Sequence, residues 1–201
     1  MRRLTSISKS IIRNLSRKEK AREYAIGIAR ELTRESGSII HDIHKSRDVV
    51  KRLKAQQDRV VRLHRLLEKY PDLLHGGFVH NALQEYAEAS IFHAIMNGLP
   101  VPSPKDLGID DTPYALGLGD VVGELRRYIL NLIIERDLVQ AKRYFKNMEA
   151  VVEIISKFNF PDAMIPIRRK QDVARSLLEK TQGELAVALS NYSLEKKLGK
   201  I

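Results

Sequence analysis

The sequence predicts an all-α fold, an antiparallel bundle of six to seven helices. Three observations predict it. Proline is absent before Pro71, between Pro113 and Pro161, and after Pro166, so three long windows lack the residue that breaks helices. Apolar residues in those windows recur at intervals of three and four instead of alternating, the period of a helix with one buried face. No internal repeat or low-complexity stretch interrupts them. The chain has 201 residues, the length of one domain, and 1–201 is read as a single unit.

A first helix, or a helix pair, covers about 3–46. Ser16 and Glu19 have the spacing of a capping box, which would break it there. Its core face is the stripe Tyr24, Ile28, Leu32, Glu35, Ile39 and Ile43. A second helix covers about 47–69 and stops before Pro71, and a third covers about 76–97 and ends at Gly98 and Pro100. Four of the seven prolines fall in 100–113 and make it a loop. The fourth and fifth helices span about 113–135 and 137–158. Asn159 to Pro166 is a turn, a last helix spans about 167–192, and the Lys-rich tail beyond it frays.

Composition removes several function classes. Cysteine is absent, which excludes disulfides, thiolate zinc sites and a cysteine nucleophile. No apolar run nears the roughly 18 residues of a membrane span; the longest, Tyr128 to Ile134, is broken by Asn131. No hydrophobic segment follows the charged start, so a cytoplasmic location is expected. The net charge is +10. Residues 1–69 hold 19 Lys/Arg against 8 Asp/Glu, while 70–201 hold 16 against 17. The whole excess sits in the first third, which favours a polyanionic partner, nucleic acid before anionic membrane. Lys9, Arg13, Arg17 and Lys20 form a helical row, and Lys51, Lys54, Arg62 and Arg65 form another. Such rows follow a phosphate backbone without reading bases. His80, near the third helix start, is a further candidate nucleic-acid contact.

The acidic residues are placed differently. Glu85 and Glu88 are three apart on the third helix, beside Leu83, Ile91, Phe92 and Ile95. Asp120 and Glu124 are four apart on the fourth, beside Leu116, Val121, Leu125 and Ile129. Each pair lies on one side of its helix, about 60° and 40° apart. Where the two helices pack together, four carboxylates meet and raise one another's pKa. A hard divalent cation resolves that repulsion, and Mg²⁺ or Mn²⁺ takes oxygen ligands. The alternative is plain: either pair alone is ordinary solvated surface, and Asp120 is a helix cap after the Gly117–Gly119 turn. Position 91 is Ile, so the Glu-x-x-His of a di-iron bundle is missing. Gly117, Gly119 and Gly123 do not match a dinucleotide loop and are read as sites of close helix approach. The six histidines show no zinc spacing and are read as surface or satisfied groups.

Glu23 to His44, reading EYAIGIARELTRESGSIIHDIH, together with LQEYAEA at 83–89 and YALGLGDVVGELRR at 114–127, resembles the translin superfamily over about 20–190. The resemblance is closer to the translin-associated factor X (TRAX) branch, which keeps the acidic residues. It implies an Mg²⁺-dependent endoribonuclease in which Glu85, Glu88, Asp120 and Glu124 are catalytic and hold the metal. It also implies a hollow octameric shell with RNA on its inner surface. The chain is short and lacks the long insert of that branch after the third helix, which favours a homo-oligomer. The continuous apolar stretch Tyr128 to Ile134 also points to assembly. The partner expected is RNA, with single-stranded DNA as the alternative. The rival reading is a non-catalytic nucleic-acid-binding shell like translin.

Overall fold

A computed structural model describes residues 1–199. Six long helices and two single turns follow in order: α1 Arg2–His44, α2 Val50–Leu67, α3 Pro71–Leu74, α4 Gly77–Met96, α5 Pro104–Leu107, α6 Asp111–Ile134, α7 Leu138–Ser156 and α8 Arg168–Lys197. There is no strand among the described residues. α4 lies between α1 and α6; α1 also carries α2, and α6 also packs on α7 and α8. One cluster of buried apolar side chains runs through the bundle, with Leu32, Ile39, Leu83, Phe92, Leu125, Ile129, Met148 and Ile155 at its centre.

The helix order matches the sequence expectation, and the departures have local causes. α1 is continuous for 43 residues, about 65 Å at 1.5 Å per residue. The expected break at Ser16 to Glu19 is absent, because neither Pro nor Gly interrupts that run and its Arg and Lys are good helix formers. The core face of α1 is Ala21, Ala25, Ala29, Leu32, Ser36, Ile39, Ile40 and Ile43. Tyr24 instead stands 71% exposed; three buried alanines, Ala21, Ala25 and Ala29, provide the inner face where a large ring was expected. Glu35 is half-buried, yet it accepts from Arg52 of α2 at 2.7 Å, and that guanidinium holds its carboxyl below the usual range.

The expected loop at 100–113 and the link between the second and third expected helices each contain a helical turn. Pro71 starts α3 and Pro104 starts α5, positions where the missing N–H of proline costs nothing. Ser103 and Asp106 form a capping box around α5. α8 continues to Lys197, so the expected fraying after 192 is corrected; residues 200–201 lie outside the described residues. Among the described residues no helix is long and apolar enough to cross a membrane.

Candidate metal and nucleic-acid sites

The seam between α4 and α6 holds Glu85, Glu88, Asp120 and Glu124 within electrostatic reach of one another. Among the described residues, however, no three of them offer ligand oxygens within 4.8 Å of one another, so the expected convergence on one ion is not formed. A glycine makes the seam tight. A Cβ on Gly117 would lie 2.6 Å from the carbonyl oxygen of Gln84 and 3.0 Å from the amide nitrogen of Glu88. Only a bare backbone lets α6 approach α4 this closely. A Cβ on Gly119 would lie 3.1 Å from Cδ of Lys170, so this second gap admits the lysine stem from α8. Gly123 faces open space, which corrects its reading as a contact glycine.

The four carboxylates differ in their company. Lys170 Nζ and Gln84 Nε2 both donate to Asp120, the amide at 2.6 Å. Glu124 Oε2 accepts from His44 Nε2 at 2.5 Å. Glu85 and Glu88 have neither a hydrogen bond nor an ion pair among the described residues. Glu88 is only 8% exposed. Burial pushes its carboxyl up to about 8, and the charges of Asp120, Glu85 and Glu124 add to that, with Lys170 opposing. Burial also raises Glu85, helped by Asp120 and then opposed by Lys170.

This donor set suits a hard divalent cation. It consists of oxygens, two of them without a cation of their own, in a site where ionising Glu88 is unfavourable until a positive charge arrives. Asp120 and Glu124 are turned toward Lys170 and His44. The ligand atoms gathered within 4.8 Å of one another belong to another group, His75, His80 and Asp110.

The sequence reading missed His44, Gln84 and Lys170. His44 continues the row Leu32, Ser36 and Ile40 at intervals of four, and its ring lies 5.0 Å from Phe92; that row was the available signal. Lys170 lies 50 residues beyond Asp120, and nothing local marks it.

The basic rows are on the surface. Lys9, Arg13, Arg17, Lys51, Arg62 and Arg65 are all exposed. Every residue from Arg2 to Arg17 is exposed, so the first part of α1 is an arm. Its apolar residues Leu4, Ile7, Ile11 and Leu15 are exposed too, and at 100° per residue they lie about 180° around the helix from Lys9, Arg13 and Arg17. The stretch Tyr128 to Ile134, expected to be assembly surface, places Ile129 and Leu132 in the core and leaves Ile134 exposed. The unpartnered apolar row is therefore on the arm. His80 is half-buried beside His75.

A family model described as Translin family matches residues 1–184. The chain belongs to the translin family. It is 33% identical to the uncharacterized protein MJ0175 of Methanocaldococcus jannaschii over 195 residues, 95% of this chain and 86% of that protein. It is similar to AfC3PO, solved in a complex with duplex RNA, with a TM-score of 0.72 at 29% identity, covering 91% of this chain and 96% of that one. A second AfC3PO crystal structure gives a TM-score of 0.74 at 30% identity, over 91% and 97% of the two chains. Apo-NeC3PO shares the fold with a TM-score of 0.79 at 20% identity, over 90% and 96% of the two chains.

Proposed function

We propose that this translin-family chain is an RNA-binding, metal-dependent endoribonuclease whose hydrolytic site is the α4–α6 seam. The observation that carries this reading is the unpartnered pair of half-buried Glu85 and buried Glu88, set near Asp120 and Glu124, with Glu88 pushed up to about 8. The likeness to a protein solved with duplex RNA supports RNA as the polyanion; single-stranded DNA is the alternative. The acidic set is also what the resemblance to the TRAX branch rests on.

Glu85, Glu88, Asp120 and Glu124 would hold Mg²⁺, or Mn²⁺ in its place. When bound, such an ion acidifies a water and offsets charge on the scissile phosphate. Glu88 keeps its proton while the seam is desolvated and lacks a cation, and releases it as a cation enters. Lys170 fixes the Asp120 carboxylate through Oδ1 and Gln84 fixes it through Oδ2. His44, packed on Phe92, fixes Glu124. Burial of Glu88 itself limits how far bulk water screens the charges of the seam. The arm and α2 hold the RNA backbone through Lys9, Arg13, Arg17, Lys51, Arg62 and Arg65. The apolar row Leu4, Ile7, Ile11 and Leu15 is the contact through which copies assemble into a closed homo-oligomer, an octamer, with the seams enclosed.

One observation favours a second reading, a non-catalytic nucleic-acid-binding shell: Asp120 and Glu124 already have Lys170 and His44 as partners. Labelled RNA incubated with Mg²⁺, with EDTA, and with the Glu124→Ala variant separates the two. Cleavage confined to wild type with Mg²⁺, with RNA binding retained throughout, supports the nuclease. Binding without cleavage in Mg²⁺ and in Mn²⁺ leaves the shell.

A further inference from the structure

His75 and His80 are five residues apart, and the fold brings Asp110, 30 residues beyond His80, beside them. His75 ends α3, His80 is in the first turns of α4, and Asp110 immediately precedes α6. One ligand atom from each lies within 4.8 Å of the other two. Two of the three groups also lack an ordinary partner. Asp110 occupies the N-cap of α6, yet its side chain makes no capping hydrogen bond, although aspartate is among the best residues at capping a helix. Its Oδ2 instead lies 3.6 Å from His75 Nδ1, too long for a hydrogen bond. His80 Nε2 is sealed from solvent and has no partner. The two histidine rings meet edge to face, with centroids 6.1 Å apart.

Ligands bound about 2 Å from one tetrahedral ion lie about 3.4 Å from each other. The 3.6 Å gap between His75 and Asp110 is close to that spacing. Two imidazoles and one carboxylate suit Zn²⁺ and its neighbours, whereas Mg²⁺ prefers oxygen alone. We propose that His75, His80 and Asp110 form a binding site for a divalent transition-metal ion of the Zn²⁺ class, with its fourth position open to solvent.

The site is separate from the acidic seam but mounted on the same two helices. Glu88 is eight residues along α4 from His80, and Asp120 is ten residues along α6 from Asp110, about 12 and 15 Å. An ion here ties the entrance of α4 to the entrance of α6.

The test is Zn²⁺ titration by calorimetry on untagged protein in excess Mg²⁺, with Co²⁺ absorption as the optical readout of the same site. Wild type should take up one Zn²⁺ per chain. His75→Ala, at an exposed position, and Asp110→Asn, which retains a capping residue, should each weaken it at least tenfold. A Glu85→Gln/Glu88→Gln protein should bind Zn²⁺ as wild type does. Absence of micromolar uptake by wild type, unchanged uptake in either single variant, or loss of uptake in the seam variant would each overturn the assignment.

Discussion

The arm of α1 and the α4–α6 seam each gather like charges, but in opposite surroundings. Lys9, Arg13 and Arg17 stand in water, where solvent screens their repulsion and the row costs the fold little. Glu85 is half-buried and Glu88 buried, so their repulsion is less well screened and falls on the carboxyl with the least exposure. A charge row in water is reach for a distant polyanion. A charge cluster held partly out of water is an unmet requirement for a cation. The two regions therefore predict separable behaviour: alter the arm and holding of RNA changes, alter the seam and the response to cations and pH changes.

The largest separation should come from reversing Arg13, Arg17, Arg62 and Arg65 to Glu. RNA affinity should fall by about 10²-fold at low salt for every sequence alike, and the salt slope should shrink by about 3. Filter binding across a salt series measures both. Affinity that survives the reversals would move the RNA site off these rows. The next effect is on assembly. Ile11→Asp with Leu15→Asp places charge on the apolar row of the arm and leaves the basic row intact. Light scattering should then show the 23.0 kDa protomer, or a much smaller species than wild type. An unchanged mass would show that copies meet through another surface.

The smallest effect belongs to the seam and has a definite sign. Glu88 titrates near 8 in the folded protein and at its ordinary 4.5 when unfolded. Between those values the folded state holds a proton that the unfolded state has lost. Its contribution to stability is therefore complete below about pH 4.5 and falls as pH rises toward 8. Without divalent metal, Glu88→Gln should flatten that decline and raise the thermal midpoint by about 4 °C or more at pH 9. Mg²⁺ should raise the wild-type midpoint more than the variant's. Parallel pH profiles for the two proteins would mean that Glu88 ionises without hindrance and the seam makes no demand for a cation.

The six long helices were legible because the apolar period marks their faces and proline and glycine mark several of their ends, although the α1–α2 and α6–α7 links turn instead at Ser46 and Arg136, both with positive φ. The single turns α3 and α5 were not, since Pro71 and Pro104 both stop one helix and can start another. The acidic residues could be picked out because charge beside Leu83, Phe92 and Leu125 contradicts the local pattern. Their partners were less visible: Lys170 reaches Asp120 through a gap at Gly119, and such a gap is a property of three helices at once. Removing the Asp120 charge would strand the Lys170 ammonium that donates to it, so relief of the repulsion in the seam comes through Glu88. The cluster of His75, His80 and Asp110 followed no spacing rule, because Asp110 comes from a loop 30 residues away from His80.

The seam draws His44 from α1, Glu85 and Glu88 from α4, Asp120 and Glu124 from α6, and Lys170 from α8. No contiguous piece of the chain shorter than the span from 44 to 170 contains all of them. During synthesis, then, α4 and α6 leave the ribosome while the lysine that balances Asp120 has yet to be made. The acidic face stays uncompensated until α8 arrives and closes over Gly119. The order in which residues leave the ribosome thus makes a finished seam a late event in the life of each molecule, and keeps half-made chains from presenting one.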